Sequence, residues 1–228
     1  MDQNNPHPTR AALTYLKAIY DCGDGVGSVT TSQLAEHLMV APASVTAMSQ
    51  KLAASIPPLV EYHKHHGVRL SPVGLQIALR LIRRHRLVEA FLVQVLDYSW
   101  DEVHEEADLM EGAISSRLEE RLSHYLGHPA FDPHGAPIPA DDLSVPTMPA
   151  IPLNQLAPGE RGMVRRVRSN DAGLLRYLTD LGIKIGASLE LVNRIPYDGT
   201  VQVRVDQVDF AHSLGVGLSS VILVEKLA

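Results

Sequence analysis

Apolar residues recur at helical spacing along the first third of the chain. In PTRAALTYLKAIYD, residues 8–21, Leu13, Leu16, Ile19 and Tyr20 share one face and predict a helix. A glycine-rich break, CGDGVGS, follows. VTTSQLAEHLMV then opens on hydroxyl residues and aligns Leu34 with Leu38. After a turn at Val40–Ala41, PASVTAMSQKLAAS predicts a third helix, residues 42–55, with Pro42 in its first turn. The period then changes. PPLVEYHKHHGVRLSP reads as a β-hairpin, with Leu59–Tyr62 and Val68–Leu70 flanking a polar turn at Gly67. Three helices and a hairpin in this order predict a winged helix-turn-helix over residues 1–74.

Ser71-Pro72 opens a long helix, VGLQIALRLIRRHRLVEAFLVQVL, apolar as far as Leu96. DYSW is a turn. DEVHEEADLMEGAISSRLEERLSHYLG then reads as one helix, capped by Asp101 and ended by Gly127. The apolar surface of this pair predicts a helical core or dimerisation domain over residues 75–128. Residues 129–150 are dense in proline and predict an extended linker outside any core. From Ile151 to the end, residues 151–228, the texture alternates: PLNQLAPGERGMVRRV, ASLELVNRI, TVQVRVDQV and SVILVEKL read as half-buried strands, interrupted by one helix, AGLLRYLTDLGI. This predicts a small five-stranded, SH3-like β-barrel. The fold class is α+β.

Composition narrows the chemistry. With 228 residues, 45% hydrophobic and 20% charged, the chain has a soluble globular profile. It lacks the run of roughly 18 apolar residues a membrane span needs, and MDQNNPHPTR lacks the layout of a secretory signal, so a cytoplasmic location with no membrane partner is expected. The single cysteine, Cys22, rules out an internal disulfide and a cysteine-based zinc site. Any metal site must therefore use histidine and carboxylate, donors suited to Mn, Fe(II), Zn, Co or Ni. Net charge is −6, which argues against sequence-blind nucleic-acid binding but leaves room for a local basic face. Most of the 11 histidines fall between His63 and His134.

Helix-turn-helix units also occur inside enzymes, but the hairpin in the wing position favours DNA. The recognition helix shows Ser44, Thr46 and Ser49, with Lys51 as its only cation. Small and hydroxyl side chains read base edges and thymine methyls, while lysine positions on phosphate. The candidate DNA-contacting set is Thr31 and Ser32, then Ala41, Pro42, Ala43, Ser44, Thr46, Ala47, Gln50 and Lys51, with Lys64 and Arg69 on the wing.

The second motif is a histidine–carboxylate pattern. In HEEADLMEG, His104, Asp108 and Glu111 stand at i, i+4 and i+7, one face of a helix; His85 and Glu89 make a second such pair. If the two helices pack antiparallel across DYSW, both sets enter one cleft. A metal site and an ion-paired acidic surface both fit this pattern. In DPHG, Asp132 and His134 read on spacing alone as turn residues.

YLKAIY, APASVTAM, RRHRLVEAFLVQVLDYSWDEVHEEADLMEGAISSRLEERL, GHPAFDPHGAPIP and LGIKIGASLELV together resemble the diphtheria-toxin-repressor-like, metal-dependent transcriptional regulators. The resemblance is strongest to the manganese-transport-regulator branch that keeps a C-terminal SH3-like (FeoA-like) domain. It implies a homodimer that binds double-stranded operator DNA and represses metal-uptake genes when a divalent metal, Mn²⁺ or else Fe²⁺, is bound. It also implies His85, Glu89, His104 and the linker His134 as ligands of one site, with Asp171 of the barrel as a further acid. Asp108 and Glu111 match carboxylates of a second site, and Asp132 falls where some relatives have a cysteine. Two positions depart from the pattern: Gly112 stands where a histidine is usual, and Thr14 where an Asp or Met is usual. The second site therefore lacks two donors, unless Asp132, Glu105 or His7 replaces them, and the balance shifts toward oxygen-rich Mn or Fe(II) coordination. The alternatives are a His/carboxylate metal hydrolase, for which no HExxH motif, P-loop or nucleophile context is present, and an adaptor that binds peptide through the barrel.

Overall fold

The structure, a computed structural model, describes residues 8–23, 25, 27–64, 66–206 and 210–227. His7, His65 of the wing and the end of TVQVRVDQV lie outside the described residues. The chain divides into two compact units, Met1–Arg84 with Asp141–Ser144, and His85–Ala140 with Val145–Ala228.

In the first unit, helix α1 spans Arg10–Cys22, capped by the Thr9 hydroxyl, which accepts from the Ala12 amide. Helix α2, Thr31–Leu38, begins in a reciprocal cap between Thr30 and Gln33. Helix α3, Pro42–Ala53, starts on proline, whose missing N–H costs nothing at that position. Strands β1, Val60–His63, and β2, Gly67–Leu70, pair antiparallel, and Val29 adds a single bridge to Val68. The side chains at helical spacing meet in one core: Leu16, Ile19, Leu34, Val45, Leu52 and Val68 are all buried.

Helix α4 runs unbroken from Pro72 to Leu96. The next stretch, expected as a single helix, is two: α5, Val103–Met110, and α6, Ser116–Tyr125. Gly112 sits in the break, and Ser115 starts the second helix by accepting from the Leu118 amide. A local cap outcompetes continuation through glycine. Asp101 does not cap α5. Its carboxylate pairs instead with Arg176, 3.0 Å away. Val88, Leu92, Val103, Ala107 and Ile114 form a small helical core, while Leu96, Leu109, Leu118 and Tyr125 stay exposed.

The proline-rich segment is only partly a linker. It contains neither helix nor strand beyond one bridge, Phe131 to Pro137, yet Asp132, His134, Ala136 and Ile138 are buried. Its backbone is satisfied locally: the Asp132 amide donates to the Ala136 carbonyl and the Ile138 amide to that of Ala130. It is also fixed to the strand β4, Arg161–Val167, through the Val167 amide, which donates to the His134 carbonyl at 2.9 Å. Prolines suit such a strap, since they pre-set an extended chain and remove donors that burial would orphan.

The C-terminal part is one antiparallel sheet of six strands, not five. β3 is Ile151–Pro152, β5 Ser188–Arg194, β6 Val201–Val205, β7 Ala211–Leu214 and β8 Ile222–Lys226, in the order β3-β8-β4-β5-β6-β7. Helix α7, Ala172–Asp180, was legible in the sequence; the short α8, Val216–Val221, and β7 were not, having too few residues to show a period. Leu153, Val164, Leu175, Leu189, Val203 and Val224 are among the residues of this core.

Candidate metal centre

Helix α4 places His85 and Glu89 one turn apart, 4% and 2% exposed. A histidine and a carboxylate buried that deeply need charged partners, and the adjoining elements provide them. Helix α5 brings His104: its Nδ1 lies 3.1 Å from His85 Nε2 and 3.2 Å from Glu89 Oε1. His85 Nε2 is itself 2.9 Å from Glu89 Oε1. Three donor atoms thus form a small triangle. Cations of this class hold oxygen and imidazole donors at roughly 2.0–2.2 Å, which sets neighbouring donors of an octahedron about 3 Å apart. The residues present fit such an ion in donor type and in donor spacing.

The other ring nitrogen of His85 faces a second set. Nδ1 is 2.7 Å from Glu111 Oε2 and 3.3 Å from Asp108 Oδ1. Glu111 stands at the C-cap of α5 in helical conformation, so the expected i, i+4, i+7 face survives although the helix ends there. A third set comes from the strap: Glu89, Asp132 and His134, all buried. Asp132 Oδ1 accepts from the amides of His134 and Ala136, so it is a turn residue, as its spacing suggested, and also part of the cluster. His134 Nε2 lies 2.7 Å from the Trp100 carbonyl. A carbonyl only accepts, so this nitrogen carries the proton and leaves Nδ1 toward Glu89 Oε2, 3.9 Å away. The Trp100 indole stacks on the His134 ring at 5.9 Å and donates to Thr179 Oγ1 of α7.

Asp171 is not among the residues brought to these sets. Its carboxylate caps α7 by accepting from the Leu174 amide. Its neighbour Asn170 reaches instead, the amide nitrogen 3.1 Å from His104 Nε2. Sequence reading also missed Arg86, buried, which donates to the Pro137 carbonyl and stands 3.6 Å from Asp132. It missed Trp100 too, whose part is played by a backbone carbonyl that no side-chain pattern reveals. Thr14 is exposed and its hydroxyl donates to the Arg10 carbonyl; Gly112 is exposed with nothing within 4 Å of where a Cβ would be.

Electrostatics tie the sets together. Burial lowers the pKa of His85, but the charge of Glu89 and the hydrogen bonds to Asp108, Glu111 and Glu89 overturn this and raise it from 6.5 to about 10. Glu89 is lowered: burial would raise it, and the charge of His85 with the bonds to His104 and His85 prevails. Burial, then Glu89, raise Asp132. The metal-free centre is therefore closed by a proton on His85. Two pH effects are expected. Cation affinity should rise about tenfold per pH unit up to about 10, one proton being released per ion bound, which calorimetry in buffers of different ionisation enthalpy measures. His85 is raised relative to the unfolded chain, so its contribution to metal-free stability is complete below pH 6.5 and is lost as pH climbs through about 10.

Most of the candidate DNA-contacting residues are exposed, with exceptions. Ala41, Pro42, Ala43, Ser44, Ala47, Gln50 and Lys51 are exposed along α3, as are Ser32 on α2 and Lys64 on the wing. Thr31 and Thr46 are half-buried, and the Thr46 hydroxyl donates to the Pro42 carbonyl. Ser49 faces the core and is fully buried, so it reads nothing. Arg69 is tied to Glu61 across the hairpin by two bonds of 2.6 and 2.9 Å.

Comparison with known proteins covers nearly the whole chain. Residues 9–68 match the model of the iron dependent repressor N-terminal DNA binding domain, 71–140 that of the iron dependent repressor metal binding and dimerisation domain, and 151–226 the FeoA domain. The chain is 25% identical to the diphtheria toxin repressor of Corynebacterium diphtheriae over 217 residues, 89% of this chain and 94% of that one. It is 29% identical to the iron-dependent repressor IdeR of Mycobacterium tuberculosis, across 74% of this chain and 78% of the relative. Among solved structures, a manganese-dependent transcriptional repressor in complex with manganese superposes with a TM-score of 0.86 at 39% identity, covering 95% of this chain and all of that one. The manganese regulator SloR superposes at 0.79 and 30% identity, covering 95% and 98%.

Proposed function

We propose a function on the premise that kinship supplies: this chain belongs to the family of metal-dependent transcriptional repressors. The family works by binding DNA and is not enzymatic, so the hydrolase reading falls. We infer that this member is a homodimer that grips operator DNA when Mn²⁺, or else Fe²⁺, occupies the centre around His85, Glu89 and His104, with Asp132 and His134 from the strap. The observation that carries the reading is the donor triangle of 2.9, 3.1 and 3.2 Å, formed by residues from two helices.

A bound divalent cation supplies the charge that lets these imidazoles and carboxylates converge without the His85 proton. The chain's residues do the rest. His85 gives up its proton, Glu89 stays ionised and links the triangle to the strap, and Trp100 and Asn170 hold the outer edges of His134 and His104. Because α4 runs unbroken from Pro72 to Leu96, it carries Ala78 of the N-terminal core as well as His85 and Glu89. A two-state change at the cluster is thereby coupled to the element that follows the wing. The exposed Leu109, Leu118 and Tyr125 of α5 and α6 offer the apolar surface for a second copy.

No helix among the described residues is long and apolar enough to cross a membrane, which accords with a cytoplasmic regulator. The test is selection of operator fragments from a random DNA pool with manganese present, followed by binding titrations against a panel of divalent metals and against chelator. Equal affinity with and without metal would sink the proposal. A further result is expected from the sparse charge of the reading unit. Lys51 and Lys64 are the candidate phosphate contacts outside an ion pair with Glu61, so a dimer neutralises few phosphates. The slope of log affinity against log salt should lie near −4, at about −0.9 per phosphate. A slope twice as steep would show that other cations carry the contact.

A further inference from the structure

His85 has one imidazole and two claimants. Nε2 belongs to the triangle with Glu89 and His104, while Nδ1 belongs to the set with Asp108 and Glu111. A neutral imidazole has one lone pair, since its other nitrogen carries hydrogen. Both sets can hold an ion together only if the ring loses both protons. The two sets are also unequal. The first has two buried members, His85 and Glu89, and draws on a second histidine; the second ends at Gly112, which offers no donor and has open space around it, and its Asp108 side chain is 45% exposed. A short bond from a carboxylate to the far nitrogen of a ligating histidine is the arrangement that fixes the tautomer and orientation of the ring. Glu111 makes such a bond at 2.7 Å.

We propose that this chain holds one cation at the His85–Glu89–His104 triangle, and that Glu111 and Asp108 are positioning residues that orient His85 through Nδ1 instead of ligating a second ion. The inference rests on the metal-centre reading above. Under it, the carboxylates hold the Nδ1 hydrogen, Nε2 is left to the cation, and the negative charge behind the ring strengthens it as a donor.

The test uses the full-length chain and manganese alone. Calorimetry with elemental analysis should give one Mn per chain, with the electron paramagnetic resonance signal of an isolated ion and no exchange-coupled pair. Asp108→Asn with Glu111→Gln, which keeps shape and removes charge, should retain that stoichiometry and bind about ten- to a hundredfold more weakly. The visible spectrum of the cobalt-loaded double variant should match that of the cobalt-loaded parent, because the ligands are unchanged. Two Mn per chain in the parent, one of them lost in the double variant, would overturn the assignment and leave the metal-centre reading standing. Unchanged affinity, a complete loss of binding or an altered cobalt spectrum in the double variant would also overturn it. No Mn bound by the parent would remove the underlying reading instead.

Discussion

A chain carrying His85→Ala should keep its helices and lose about a hundredfold, near 3 kcal/mol, of its manganese-stimulated operator affinity. His85 is shared by two of the three donor sets, so its removal leaves only Glu89, Asp132 and His134 complete. Alanine also removes the imidazolium beside Glu89, 2% exposed, and leaves that buried carboxylate to His104 and His134 alone, and weakening the pairing of a buried charge is costly. Circular dichroism and thermal unfolding should accompany the binding measurement. Should alanine prove too disruptive, Glu89→Gln removes the charge that joins the triangle to the strap while keeping volume, and the same loss is expected. Fluorescence anisotropy on a selected operator, with manganese and with chelator, reads both. Metal dependence surviving in both variants would place the regulatory ion elsewhere.

The second large effect is expected at Gly135, which has no side chain and follows His134 in the strap. A Cβ there would lie 1.8 Å from the Arg165 carbonyl oxygen and 2.8 Å from the Arg166 Cα, and the residue has φ +79°. The obstacles are backbone, so no rotamer change relieves them, and the conformation disfavours any L side chain. Gly135→Ala should lift the strap from β4, break the bond from the Val167 amide to the His134 carbonyl, and withdraw His134 from the cluster. A loss of about 2–4 kcal/mol in stability is expected, with weaker manganese binding. Denaturant unfolding and calorimetry measure the two. A variant with native stability and affinity would show that the strap need not be seated.

What the sequence revealed was what has a period or a charge pattern. The winged unit, α4 and the i, i+4 pairs His85–Glu89 and His104–Asp108 were legible because side chains on one helix face declare themselves at fixed spacing. The break between α5 and α6 was missed because the apolar rhythm continues across it while Gly112 and Ser115 act locally. The strap was read as linker because proline density marks extended chain, and extended chain says nothing about burial. Asn170 was missed by one position: an acid was sought in that loop, and the acid there, Asp171, is spent on the cap of α7. Contributions made by backbone, such as the Trp100 carbonyl at His134, leave no trace in residue types.

Trp100 is the only tryptophan in the chain, and its ring stands nearly parallel to that of His134, 5.9 Å away. Ultraviolet emission at indole wavelengths therefore comes from a single fluorophore in contact with the strap. Occupancy by a quenching ion can be followed in the unlabelled protein, in real time, through a reporter that the fold itself has installed.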